Sequence, residues 1–190
     1  SSKDIMQGDF DYIFFTGSTQ AGRQIAKTAG ERLIPYTLEL GGKSPVIIDD
    51  TADLKVSARR IVKGKFMNAG QTCIAPDYLF AHASIREKLI LEMINAIQEF
   101  YGTYTPESTD YGRIIDIEAF NRLSKLIKSS KDKIIYGGHS DECTLYIEPT
   151  LIVEDSVNSD IMQEEIFGPL LPVLEWTDIN RVKELSLIHI

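Results

Sequence analysis

The feature that most constrains the fold is a strand, turn, helix and strand near the amino end of the chain. Residues 12–15 form a short apolar run, a turn follows at Gly17, and residues 21–32 place apolar side chains at helical spacing. A second extended run covers residues 36–40. This order predicts one βαβ unit, in which a helix joins two parallel strands.

The alternation continues along the chain and predicts the α/β class. Strands are expected at residues 45–48, 78–83 and 133–136, and helices at residues 53–67, 85–101 and 117–129. Extended pieces at residues 145–153 and 169–176 flank an acidic loop. A parallel sheet is normally covered on both faces and has several strands. Because a single βαβ unit precedes Glu39, we expect the chain to begin inside a domain.

The charge balance excludes some classes of function. Lys and Arg total 20 against 28 Asp and Glu, a net charge of -8, so the positive field that favours nucleic acids or membrane surfaces is missing. We expect a small-molecule partner and no membrane segment. Two cysteines indicate no disulfide framework, and three histidines without paired spacing predict no metal site. The expected location is the reducing cytoplasm.

Cys73 is the first candidate for chemistry, because it follows a glycine-containing turn at the end of a predicted helix. Backbone amides at such a turn can face a developing negative charge, which suits a thiol nucleophile. Most free cysteines are instead small buried apolar side chains, so Cys73 needs support from its context.

Glu39 ends an otherwise apolar strand and precedes Gly41 and Gly42, which allow close approach of the backbone. Burial in apolar surroundings raises the pKa of a carboxyl group toward neutrality, as a general base requires. The alternative is a solvated strand end in which Lys43 neutralises the carboxylate.

The turn after the first strand is a third candidate. Gly17, Ser18 and Gly22 lie where a helix begins, and a helix amino terminus favours a phosphate. The turn lacks the middle glycine of the usual dinucleotide fingerprint, so a plain tight turn fits equally well.

Four motifs in this order resemble those of the aldehyde dehydrogenase superfamily. They are residues 15–18 with Gly22, residues 38–43, residues 70–73 and residues 164–169. The interval between Glu39 and Cys73 and the run of residues 73–78 are most similar to the class 3 branch, which includes enzymes for fatty and aromatic aldehydes.

The resemblance implies an aldehyde dehydrogenase-like α/β fold. Residues 1–41 would be the last part of a Rossmann-like NAD(P)-binding domain, and residues 42–190 most of the catalytic domain. Cys73 would attack an aldehyde to give a thiohemiacetal and then a thioester, with Glu39 as general base and NAD or NADP as cofactor. The implied cofactor contacts are Gly17, Ser18, Gly22, Glu165 and Phe167.

Parts of the family pattern are missing from this sequence. The family has an oxyanion-hole asparagine and a ribose-binding lysine upstream of the cofactor turn, and neither has a counterpart here. Residues 186–190 do not resemble the family's continuation and are interpreted as a foreign tail or the end of a truncated reading frame. We therefore expect a fragment with little or no activity by itself, from a protein that forms homodimers.

Two other interpretations stay open. A cysteine-dependent hydrolase or acyltransferase would pair Cys73 with His82 or His139. A non-catalytic structural homologue would keep the fold without the chemistry, although the presence of both Cys73 and Glu39 argues against it. The choice of aldehyde and the preference between NAD and NADP are left open by the sequence.

Overall fold

The computed structural model of the chain describes residues 8–187. The chain divides into two compact units, one ending at Gly42 and the other beginning at Lys43. This division lies one residue from the domain boundary that the resemblance implies. Of the interpreted foreign tail, residues 188–190 lie outside the described residues, so that interpretation stays a prediction.

The first unit contains the predicted βαβ arrangement. Strand β1 (Ile13–Thr16), helix α1 (Thr19–Glu31) and strand β2 (Tyr36–Glu39) follow one another, and the strands are parallel. The helix begins where the Ser18 hydroxyl accepts a hydrogen bond from the Ala21 amide, which satisfies one of its unpaired amino-terminal donors.

The second unit is built on a five-stranded sheet in the order β3-β4-β9-β8-β5. Its strands are β3 (Pro45–Ile48), β4 (Tyr78–His82), β5 (Ile134–Tyr136), β8 (Thr150–Glu154) and β9 (Leu170–Trp176). Neighbouring strands are parallel except for β5, which is antiparallel to β8. Strands β6 (Ser140–Asp141) and β7 (Tyr146–Ile147) form a separate short hairpin.

The second unit contains five α-helices in the described residues, and two of them begin at an aspartate that caps the helix. They are α2 (Leu54–Phe66), α3 (Arg86–Tyr101), α4 (Ile117–Ser129), α5 (Asp160–Gln163) and α6 (Ile179–Leu187). Asp53 accepts a hydrogen bond from Val56 N at the start of α2, and Asp116 does the same for Ala119 N at α4. Within residues 8–187, no helix is both long and apolar enough to cross a membrane.

The predicted elements are present with small changes at their ends, and the structure adds short ones. The predicted extended piece at residues 145–153 is two strands, β7 and β8, because Pro149 lies between them and has no amide hydrogen for a ladder. Strand β6 and helix α5 span too few residues to produce a recognisable hydrophobic period.

The core of the second unit lies on the inner strands of the sheet. Strands β4, β8 and β9 are buried over most of their length, as expected for parallel strands covered on both faces. Because β3, β4 and β9 run in the same direction, the segments that precede them meet at one edge of the sheet. That amino-terminal edge carries the candidate site.

Candidate active site

The turn that carries Cys73 is left-handed over three consecutive residues. After α2 ends, Asn68, Ala69 and Gly70 have φ values of 53, 51 and 75 degrees. Left-handed backbone costs non-glycine residues about 1–2 kcal/mol each, and such strain is found most often where a site requires it. The sequence indicated a glycine turn here, but not that Asn68 and Ala69 share its conformation. Cys73 follows and is exposed.

The side chain of Gln71 fastens this turn to the segment before α4. Its Nε2 atom donates hydrogen bonds to the carbonyls of Asn68 (3.0 Å) and Arg113 (2.9 Å), while its Oε1 atom accepts from Ile115 N (2.9 Å). Both ends of the amide are therefore used. Gln71 lies in the cysteine motif, but the sequence pattern assigned it no role.

The cysteine motif also contacts the motif at residues 164–169. A Cβ atom placed on Gly70 would lie 2.2 Å from the carbonyl oxygen of Gly168, far inside van der Waals contact. The two backbones approach this closely because Gly70 has no side chain. The structure therefore brings the turn of Cys73 beside the loop of Glu165 and Phe167.

Charged side chains hold the backbone of that loop. Asp77 accepts the Ile166 amide through Oδ1 (2.9 Å) and binds Lys43 Nζ through Oδ2 (2.5 Å). Lys43 Nζ also donates to the Glu164 carbonyl (2.9 Å), and Arg122 donates to the Ile166 carbonyl (2.7 Å). The Lys43 and Asp77 side chains are only 7% and 4% exposed, so this ion pair is shielded from water.

The two predicted cofactor residues of the loop differ in their surroundings. Glu165 is half-buried, whereas Phe167 is 38% exposed and has a left-handed backbone with φ of 45 degrees. A bulky residue in this conformation is uncommon. Phe167 thus combines a partly exposed ring with a strained backbone.

Lys65 is a buried charge that the sequence pattern did not single out. It lies in the last turn of α2 and is 1% exposed. Burial lowers its pKa from 10.5 to about 8, with a smaller contribution from Lys43, while the charges of Asp77 and Glu165 oppose that shift. The sequence signal for its burial was its position four residues after the apolar Ile61, which places both residues on the same helix face.

The first unit places Glu39 beside the glycine turn. Gly17 N donates a hydrogen bond to the Glu39 carbonyl (3.1 Å). A Cβ atom on Gly22 would lie 2.6 Å from Leu40 Cδ2, so Gly22 allows close packing of helix on strand, which dinucleotide-binding turns require of their last glycine. These residues fit a cofactor turn.

The expected apolar setting of the Glu39 side chain is not found, because Glu39 is exposed. Leu38 and Leu40 face Gly22 of α1. Strand residues alternate between faces, so Glu39 points away from the helix. The alternative pairing of Glu39 with Lys43 has less support, since the Lys43 ammonium already contacts Asp77 and the Glu164 carbonyl.

The predicted site residues therefore form two sets. The first unit holds Gly17, Ser18, Gly22 and Glu39, and the second holds Cys73, Glu165 and Phe167. Within each unit the predicted residues lie on adjoining segments. That Glu39 and Cys73 converge on one pocket stays a prediction.

The two histidines of the hydrolase interpretation have other partners. His82 lies at the far end of β4 from Cys73, where its Nδ1 atom is 2.8 Å from Ser84 Oγ and its ring packs against Trp176. The ring of His139 packs against Tyr146. In the described residues 8–187, neither histidine is hydrogen-bonded to Cys73.

Comparison with known sequences gives consistent matches. Residues 4–186 match the profile described as "Aldehyde dehydrogenase family". The 4,4'-diaponeurosporen-aldehyde dehydrogenase of Staphylococcus aureus is 49% identical over 180 residues, which cover 95% of this chain and 39% of the relative. Aldehyde dehydrogenase family 3 member A2 of Mus musculus is 44% identical over 177 residues, covering 93% and 36%.

Solved structures agree with these matches. The substrate-bound state of Staphylococcus aureus AldH has a TM-score of 0.93 and 47% identity, covering 99% of this chain and 41% of that one. Betaine aldehyde dehydrogenase of Staphylococcus aureus, in complex with NAD+, has a TM-score of 0.84 and 29% identity, covering 97% and 39%. The chain thus spans well under half the length of these relatives.

Proposed function

The chain belongs to the aldehyde dehydrogenase family, and we propose on that premise that it carries the nucleophile and general base for NAD(P)-dependent oxidation of an aldehyde to a carboxylic acid. The observation that carries this proposal is the backbone contact between Gly70 and Gly168. It places the turn of Cys73 against the loop of Glu165 and Phe167. Because the chain spans 39% of a curated relative's length, the activity is proposed for the protein made from the complete reading frame.

Cys73 acts as the nucleophile. Its thiolate sulfur forms a bond to the aldehyde carbon and gives a thiohemiacetal. When bound, NAD(P)+ would supply the acceptor for the hydride that leaves this carbon. Cys73 then holds the acyl group as a thioester. The exposure of Cys73 supports this role, because an aldehyde can reach the sulfur.

Glu39 acts as the general base. It first takes the proton of the Cys73 thiol and passes it to solvent, and in its ionised form later takes a proton from the water that attacks the thioester. That second step breaks the carbon–sulfur bond, releases the carboxylic acid and returns Cys73 to the thiolate. The role requires Glu39 and Cys73 to face one pocket.

The backbone amide of Cys73 is the proposed donor to the carbonyl oxygen as negative charge develops on it. Among residues 8–187, this amide donates to no acceptor in the chain. The second donor that the family resemblance implies is an asparagine upstream of the cofactor turn, and it has no counterpart in this sequence. We therefore expect the isolated chain to have little or no dehydrogenase activity.

Five residues are proposed to hold NAD or NADP. Gly17, Ser18 and Gly22 would meet the pyrophosphate at the start of α1, a 13-residue helix whose amino end favours negative charge. Glu165 would bind a ribose hydroxyl, and Phe167 would pack beside the nicotinamide. The close packing at Gly22 and the exposed ring of Phe167 support this assignment.

The rival interpretations have less support. A hydrolase needs a histidine beside Cys73, yet His82 lies at the other end of β4 and His139 packs in the β6–β7 hairpin. A non-catalytic homologue has no need of both Cys73 and Glu39. Similarity to a family 3 member supports the class 3 branch. We also propose a reducing cytoplasmic location, which suits two exposed free cysteines, and a homodimeric protein.

The test uses the protein expressed from the complete reading frame, with NADH formation measured on a panel of aliphatic and aromatic aldehydes. We expect Cys73→Ser to abolish turnover and Cys143→Ser, at the other exposed cysteine, to preserve it. Glu39→Gln should form at most one equivalent of NADH, more slowly than wild type because the thiol loses its base, and then stall because the thioester is not hydrolysed. Near-normal steady-state turnover of Glu39→Gln would refute the assignment of the base.

A further inference from the structure

The loop that carries Glu165 is held by charged side chains from three separate elements. Lys43 comes from the segment before β3, Asp77 from the residue before β4, and Arg122 from α4. Their partners are backbone atoms of Glu164 and Ile166, which flank Glu165 on both sides. These contacts hold the backbone on both sides of Glu165.

We propose that the buried Lys43–Asp77 ion pair is a positioning device for the cofactor, which fixes the backbone on both sides of Glu165. Asp77 uses its two oxygens for different partners, Ile166 N at 2.9 Å and Lys43 Nζ at 2.5 Å. Lys43 completes the link through the Glu164 carbonyl at 2.9 Å. This inference rests on the proposed cofactor role of Glu165 and adds the residues that set its position.

Because the Lys43–Asp77 ion pair is buried, it favours one position of the loop over others. A buried charge is tolerated when it is paired and hydrogen-bonded, and it is strongly unfavourable when one partner is lost. With 7% and 4% of their side chains exposed, Lys43 and Asp77 have little water to replace a missing contact. A displacement of the loop would break these bonds together, so the pair favours one loop position.

The pair is anchored to the sheet of the second unit. Asp77 N donates to the Ser44 carbonyl at 2.9 Å, which joins the starts of β3 and β4. Asp77 is also four residues beyond Cys73 along the chain. The position of Glu165 is therefore tied to the same strand that follows the nucleophile, and Lys43 and Asp77 act through Glu165 as positioning residues.

The test measures cofactor protection of Cys73 in the protein from the complete reading frame. Alkylation of the Cys73 peptide by iodoacetamide is followed by mass spectrometry while NAD+ is varied. For Asp77→Asn we expect the NAD+ concentration for half-protection to rise at least tenfold, with the alkylation rate without NAD+ within threefold of wild type. For Lys43→Met we expect at least a fivefold rise. If Lys43 and Asp77 only stabilised the fold, the half-protecting NAD+ concentration and the alkylation rate without NAD+ would change together.

The chain offers a matched control at the opposite end of the sheet. Glu154 is 1% exposed, binds Lys133 Nζ at 2.5 Å and accepts the Asp155 amide at 3.0 Å. The pair Lys133→Met with Glu154→Gln should leave half-protection within twofold of wild type. If Asp77→Asn does not fold, Lys43→Met with Asp77→Asn removes both buried charges and should still raise the half-protecting concentration.

The outcomes separate two failures. If NAD+ protects wild-type Cys73 and the Asp77→Asn or double variant stays within twofold, the positioning role is wrong while the proposed function stands. An equal rise in the Lys133 and Glu154 control would also overturn it. If NAD+ does not protect wild-type Cys73 at all, the proposed function fails and the positioning role fails with it.

Discussion

Gly70 and Gly168 meet backbone to backbone, so that a Cβ atom on Gly70 would lie 2.2 Å from the Gly168 carbonyl oxygen. The two glycines belong to motifs that are far apart in the sequence. Their contact is the point at which the cysteine turn and the proposed cofactor loop become one site. Substitutions at this contact and around it should have measurable effects on stability and activity.

Gly70→Ala should strongly destabilise the second unit. Gly70 has φ of 75 degrees, and the obstructing atom is backbone and has no alternative rotamer. We expect a loss of about 3 kcal/mol or more in the free energy of unfolding, from strain and overpacking. Urea unfolding followed by the fluorescence of Trp176, the single tryptophan of the chain, measures it.

The control for that substitution is Gly64→Ala in α2. A Cβ there would meet Pro76 Cδ at 3.4 Å, an ordinary contact, and alanine is a better helix former by up to about 1 kcal/mol. We expect Gly64→Ala to be neutral or stabilising. If both substitutions lowered the free energy of unfolding equally, the close approach of the Gly70 and Gly168 backbones would not be the cause.

Gln71→Met should impair catalysis in the complete protein more than its volume change suggests. Methionine fills a similar volume but leaves the Arg113 carbonyl and the Ile115 amide without their partner, at about 1–3 kcal/mol for unsatisfied groups. A looser turn misplaces Cys73, so we expect kcat/KM to fall about tenfold to a hundredfold. The control is Gln98→Met, on the exposed side of α3, which should leave kcat/KM unchanged. Unchanged kcat/KM in Gln71→Met would show that the Gln71 side chain does not hold the turn in place.

Lys65 should make the stability of the second unit rise with pH. Its pKa is about 8 in the folded chain against an ordinary value of 10.5, so between these values the unfolded chain binds more protons and the folded state gains stability as pH increases. The full effect corresponds to about 3 kcal/mol. Removal of the titrating group in Lys65→Met should abolish this rise.

The measurement is urea unfolding of both proteins at a series of pH values between 8 and 10.5. Comparison of wild type with Lys65→Met removes the contributions of other groups, including Tyr111, whose pKa burial raises well above its usual value. Parallel stability profiles for the two proteins would show that the Lys65 ammonium does not titrate in this range.

Ser18→Ala should weaken the cofactor turn in the complete protein. Loss of the hydroxyl removes the acceptor for Ala21 N, which costs helix α1 about 1 kcal/mol, and removes a proposed pyrophosphate contact. We expect the half-saturating NAD+ concentration to rise at least threefold. Asp53→Ala removes the equivalent cap of α2 and should leave NAD+ binding unchanged, whereas equal effects of the two variants would assign Ser18 a structural role alone.

Much of the fold followed from local patterns in the sequence. The α/β class and the βαβ unit were predicted from periodicity and are confirmed, and the predicted aldehyde dehydrogenase fold is confirmed by a solved relative at a TM-score of 0.93. Helix starts at Asp53 and Asp116 match local capping signals. Strand β6 was missed because two residues show no period.

The site was predictable as a set of motifs but not as a set of contacts. The sequence identified Cys73 and Glu39 as candidates, and their shared pocket stays a prediction. It gave no sign that Lys43 pairs with Asp77, because attraction between charges depends on spatial distance and not on separation along the chain. Lys65 was hidden for a similar reason, since one lysine in an amphipathic helix is normally a solvated residue.

The sequence by itself determined the class of fold, the order of its main elements and the family, because periodicity, caps and motif residues are local properties. Only the tertiary structure decided which backbones touch at Gly70 and Gly168 and which charges are buried around Asp77. It also left Glu39 exposed, since one helix covers only one face of a two-stranded sheet. Burial and close approach arise only when distant segments pack together, so no local pattern encodes them.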